Sequence, residues 1–166
     1  MGDIADYLLE QEENFNCFLG VFPRRRGRIP KFPPKFTGKV FCDYCGAKAE
    51  LKDSSEIYGN AEWARGKKVW VCSRYPECDA YVGAHSATQA PLGRLADPML
   101  RQWKKMAHVE FDALWKEMGM ERGEAYEWMQ NNLNLSPEEA HIGKFDVEMC
   151  QSLIRAVQEY RRNKRN

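Results

Sequence analysis

Residues 41–49 and 68–82 read FCDYCGAKA and KVWVCSRYPECDAYV, and they hold four of the chain's six cysteines. The first pair, Cys42 and Cys45, is C-x2-C; the second, Cys72 and Cys78, is C-x5-C, and 26 residues separate the pairs. A tetrahedral zinc site takes four ligands, and thiolate sulfurs sit about 2.3 Å from the ion. A two-residue spacer lets both sulfurs of a turn converge. Gly46 after the first pair permits a left-handed backbone with amides aimed at sulfur. Pro76 stiffens the longer turn, and the gap between the pairs suits an antiparallel hairpin that returns the second pair to the first. Four unrelated buried thiols would rarely cluster this way. A redox pair would need only C-x2-C beside a βαβ pattern, which the sequence lacks. The spacing therefore predicts one structural Zn2+ held by Cys42, Cys45, Cys72 and Cys78. Four thiolates close the shell and leave no position for a reactive water.

Three other candidates fall outside this set. His85, seven residues beyond Cys78, could replace a cysteine, but four thiolates already complete the shell. Cys150 lies on an apolar helical stripe, Cys17 lies between Phe15 and Phe18, and both read as core thiols.

The remainder of the chain sets this module in context. It has 166 residues, 43% apolar, with five tryptophans, enough to bury a core. No apolar run reaches the roughly 18 residues of a membrane-spanning helix. The start, MGDIADYLLEQEENF, is acidic and lacks the pattern of a signal peptide, so a cytoplasmic location with reduced thiols is expected. Net charge is +1, but its distribution is uneven. Residues 1–20 carry five acids and no Lys or Arg, and residues 21–40 carry seven Lys/Arg and no acid.

These shifts divide the chain into an acidic N-terminal helix (1–20), a basic Pro/Phe-rich arm (21–39), a zinc ribbon (40–90) and a helical C-terminal unit (91–166). Asp3 is a candidate N-cap, with Ile4, Tyr7 and Leu8 on one face. In the ribbon, KVFC, AELKDSSEIYG, KKVWVC and AYVG read as about four short strands. In the C-terminal unit, Asp97-Pro98 opens a helix with Leu100, Trp103, Ala107, Phe111, Leu114 and Met118 on one stripe, and Gly119 stops it. A second helix spans about 121–133, with Ala125, Trp128, Met129 and Leu133 inward. Ser136 and Glu139 form a capping box in the next connection, and Asp146 caps a third helix whose RRNKRN tail should fray. The fold class expected is α+β.

CSRYPEC resembles the second half of the zinc ribbons in the C-terminal region of bacterial type I topoisomerases, where they help hold single-stranded DNA. A longer stretch, about residues 40 to 158, resembles a phage and prophage family described as a zinc-finger-containing domain of unknown function. The segments CDYCGAKAEL, VWVCSRYPECDAYVGAH, PLGRLAD, AHVEFDALW and HIGKFDVEMC carry that likeness. It implies the same four cysteines as ligands and a viral origin, so the cytoplasm would be a host's. It implies no activity.

Nucleic acid is the partner expected, single-stranded and bound without sequence preference. Such binding needs rings for base stacking and cations along the phosphate track. The candidates are Arg24, Arg25, Arg26, Arg28 and Lys31 in the arm, with Lys67, Lys68, Arg74, Trp70 and Tyr75 in the ribbon. Tyr58, Trp63 and Tyr81 offer further rings, and core packing is the competing reading for each of them. A protein-binding adaptor or inhibitor of host machinery is the alternative function. A metal-dependent nuclease is a third, resting on His108 and Asp112, four apart on one helix face, with Glu110 pointing away. No phosphate-cradling Gly loop, G-x-S-x-G or H-E-x-x-H motif supports an enzyme.

Overall fold

A computed structural model describes residues 34–165 of the chain. The sheet has three antiparallel strands: β1 (Ala49–Asp53), β2 (Lys68–Cys72) and β3 (Tyr81–Gly83), in the order β1-β2-β3. β2 is central and reads KVWVC, with Val69, Trp70, Val71 and Cys72 all buried, as a strand covered on both faces should be. Its register sets Leu51 opposite Trp70 and Ala49 opposite Cys72 on one side, and Val82 opposite Trp70 on the other.

Two of the β-like runs are shorter than their sequence pattern implied. KVFC contributes only an isolated bridge, Phe41 to Lys48. AELKDSSEIYG breaks at Ser54, where the buried hydroxyl donates to the carbonyl of Ala64, and the chain turns into the one-turn helix α1 (Ser55–Tyr58). The Ser54 amide still donates across the hairpin to the Lys67 carbonyl at 3.1 Å, but its carbonyl accepts from the Ile57 and Tyr58 amides at 3.1 and 2.8 Å, and this helical turn ends β1.

The chain separates between Leu95 and Ala96 into two compact units, each with its own core. That of the first gathers Cys42, Ala49, Trp70, Cys72, Ala80, Ala84 and Leu95. The second unit contains α2 (Pro98–Lys116), α3 (Arg122–Leu133) and α4 (Val147–Arg165). Asp97 caps α2 as its sequence predicts: the carboxylate accepts from the Leu100 amide at 2.7 Å. Phe111 is 1% exposed and meets Trp115 and Tyr126 edge-on at 5.0 and 5.2 Å. Met129, Leu153 and Val157 complete this core, and Cys150 is buried within it.

The expected α+β class, a cysteine-bearing antiparallel sheet followed by helices, is the observed one. The last helix differs from expectation at its end: RRNKR does not fray but continues α4 to Arg165. Lys164 anchors that end by donating to the Met118 carbonyl at 3.0 Å. Trp128 lies half-buried against Tyr160 at 5.6 Å. The acidic segment 1–20, expected to be helical, and most of the basic arm, including Arg24, Arg25, Arg26, Arg28 and Lys31, lie outside the described residues.

Candidate metal centre

Two β-turns supply the four cysteines. Cys42 opens the first, which closes when the Gly46 amide donates to the Cys42 carbonyl at 2.9 Å and the Cys42 amide to the Ala47 carbonyl at 2.8 Å. Gly46 takes φ +70°, a conformation that disfavours any side chain, so the glycine in CDYCG is required by the turn. The second turn leaves the end of β2. Tyr75 donates its amide to the Cys72 carbonyl at 3.0 Å, and Cys78 donates to the Arg74 carbonyl at 2.9 Å. The pairing of Ala49 with Cys72 joins the two turns at one end of the sheet.

The four sulfurs all lie within 4.8 Å of one another. Two approaches cross between the turns: Cys42 to Cys78 at 3.6 Å and Cys45 to Cys72 at 3.4 Å. Four thiolates around a zinc ion at about 2.3 Å stand about 3.8 Å apart along each tetrahedral edge. The donor set therefore fits a zinc ion in number, chemistry and separation. Among the described residues it is the cluster of Cys, His, Asp and Glu that could hold a metal. His85 lies outside it. That side chain is buried, and Nδ1 accepts from the Thr88 amide at 3.2 Å, shaping the turn after β3.

The sulfurs have unequal surroundings. The Ala47 amide bonds to Cys45 and draws its pKa down to about 7. Burial pushes Cys72 up, opposed by the Arg74 amide, and burial together with the neighbouring Cys42 pushes Cys78 up further. Amides aimed at sulfur favour the charged form, whereas crowding and desolvation disfavour four thiolates without a cation among them. Such a cluster is arranged to be completed by a divalent ion.

The residues proposed from sequence for nucleic acid are scattered in kind. Trp70 is only 8% exposed, donates its indole N–H to the Gln89 carbonyl at 2.8 Å, and meets Phe36 edge-on at 5.9 Å. The structure places this ring, expected from the sequence to stack on bases, in the core of the first unit. Tyr58 packs on Trp63 at 4.7 Å and on Tyr81 at 5.7 Å, so these rings are engaged with one another. Lys68 pairs with Asp53 at 2.9 Å, and Lys67 is half-buried. Arg74 and Tyr75 are exposed on the second cysteine turn.

Two exposed rings at the first turn, Phe41 at 57% and Tyr44 at 45%, were missed by the sequence reading. The signal was present in Tyr44: with both cysteines turned inward, a residue in the C-x2-C spacer must stand at the tip. Lys48 is exposed beside Phe41 across their bridge.

The proposed hydrolytic pair on α2 is not a surface site. His108 is buried, and desolvation with the nearby Lys104 and His141 pulls its pKa down to about 3, so it is neutral. Asp112 pairs with Lys116 at 3.0 Å, and Glu110 with Arg161 at 2.9 Å. No helix among the described residues is long and apolar enough to cross a membrane.

No curated protein and no solved structure matches this chain. A family model described as a zinc-finger-containing domain matches residues 38–160, a span that takes in both cysteine turns, α2, α3 and α4 as far as Tyr160. With that match over most of its length and a four-sulfur cluster built to receive the ion, the chain belongs to the family of zinc-finger-containing domains.

Proposed function

We propose that the chain binds one structural zinc ion through Cys42, Cys45, Cys72 and Cys78, and that the module so stiffened binds single-stranded nucleic acid without sequence preference. The observation that carries this reading is that both cysteine turns present exposed rings with a cation beside them. Phe41 and Tyr44 accompany Lys48 on one turn, and Tyr75 accompanies Arg74 on the other. The ion supplies cross-linking: it ties the two turns so that the rings keep a fixed separation. Rings provide sequence-tolerant stacking, and the cations neutralise phosphate. The basic arm, with Arg24, Arg25, Arg26, Arg28 and Lys31, would add electrostatic attraction. A viral setting, in a host's cytoplasm, is supported by the resemblance of the sequence to phage and prophage proteins.

Fluorescence anisotropy with a labelled oligonucleotide of mixed sequence tests the reading. Tyr75→Ala together with Arg74→Ala should weaken binding about tenfold, since stacking is worth about 1–3 kcal/mol per base. Unchanged affinity in that variant, or no binding by the native protein at low salt, would refute it. The protein-binding alternative rests on a different feature, the exposed stripe of Met99, Met106 and Val109 on α2. A partner whose binding is lost on Met106→Glu but not on Tyr75→Ala would favour it.

A further inference from the structure

The C-terminal end of α4 holds a concentration of positive charge that the fold fixes in place. Residues 155–164 contain four cations, Arg155, Arg161, Arg162 and Lys164, and one acid, Glu159. Because the helix runs through this segment, its charges occupy defined faces. Arg155, Gln158, Glu159 and Arg162 follow the i, i+3, i+4, i+7 spacing of one face. Together with Arg161 they line a surface groove of ≈ 480 Å³.

The cations there are engaged differently. Arg161 is committed to Glu110 at 2.9 Å, and Lys164 to the Met118 carbonyl and the face of Tyr160. Arg155 and Arg162 are both exposed, and Arg155 is steadied by a bond to the Ser152 hydroxyl at 3.1 Å. Seven residues of helix set them about 10 Å apart along the axis. At about 3.4 Å per nucleotide of a stacked strand, that distance spans roughly three phosphates. Guanidinium forks match phosphate oxygens in pairs, and like charges gathered along one groove are relieved by a bound polyanion.

We infer that this face of α4 is a second nucleic-acid contact, in which Arg155 and Arg162 each hold a backbone phosphate. The inference rests on the nucleic-acid reading above but on separate residues. It assigns to α4 an electrostatic role, sequence-independent by nature, distinct from the stacking role of the cysteine turns.

The test is a salt titration of oligonucleotide binding by the full chain, comparing native protein with Arg155→Gln/Arg162→Gln and with Glu159→Gln. The double variant should flatten the slope of log K against log salt by about 1.4, at about 0.7 per single-strand phosphate released. Helical circular dichroism should not change, because both side chains are exposed. Glu159→Gln removes the one acid of the face and should tighten binding. A native slope in the double variant, with no gain from Glu159→Gln, overturns the inference. If the Arg155/Arg162 pair matters while Tyr75→Ala with Arg74→Ala does not, the role proposed for the cysteine turns fails and this one stands. If the native chain binds no oligonucleotide, both fall.

Discussion

Cys72 and Cys78 hold their protons more tightly than free thiols do, while Cys45 is drawn down to about 7 by the Ala47 amide. At neutral pH the metal-free cluster therefore retains at least the two protons on Cys72 and Cys78. Metal binding must expel them, since the thiolate is the ligand. Zinc titration in a weakly buffered indicator solution should release at least two protons per ion, and binding should weaken steeply on acidification. A zinc isotherm independent of pH between 7 and 5.5 would contradict this. Cys72→Ser should leave purified protein well below one equivalent of zinc by elemental analysis, because a hydroxyl at that position does not ionise to take the thiolate's place. The four cysteines were legible from spacing alone, since only convergence explains two such pairs. Trp70 was not legible. Whether a ring beside a ligand strand stacks on bases or fills a core depends on what covers it. Here Phe36 and the Gln89 carbonyl cover it.

Helix α2 was readable at its start because capping is local chemistry. Asp97→Ala removes the acceptor for the Leu100 amide and should cost about 1 kcal/mol in denaturant unfolding. The interior of the same helix carries a pH dependence that the sequence did not announce. His108 is buried and neutral, with its pKa lowered from 6.5 to about 3, and His141 is lowered by burial and Lys144 to about 4. The unfolded chain binds these protons in the ordinary imidazole range, the folded one only well below it. Between the two the unfolded state holds more protons, so stability present above pH 6.5 is lost as pH falls toward 3. Unfolding free energy should therefore fall between pH 6 and 4, and His108→Gln should make that slope shallower by up to about 1.4 kcal/mol per pH unit. An equal slope in the variant would show that other groups drive the loss. Periodicity placed His108 on a helix, but only the packing of its neighbours decides that its face is inward.

Two disjoint cores, one gathered around Cys42 and Cys72 and one around Phe111 and Leu153, predict two unfolding events. The unit ending at Leu95 has a three-stranded sheet and a small apolar cluster, so the ion should supply much of its folding free energy. Chelation should abolish the near-ultraviolet signal of Trp70 while the helical signal at 222 nm persists. Loss of both together, at one chelator concentration, would show a single cooperative unit. By itself the sequence determined the four cysteines, the hairpin between them, the α+β class and the cap at Asp97, because spacing and caps are properties of neighbours along the chain. Tertiary structure alone decided that Trp70 and His108 are buried, that Phe41 and Tyr75 are exposed, and that RRNKR continues α4. Exposure depends on which distant segments pack across a residue, and no local pattern specifies that.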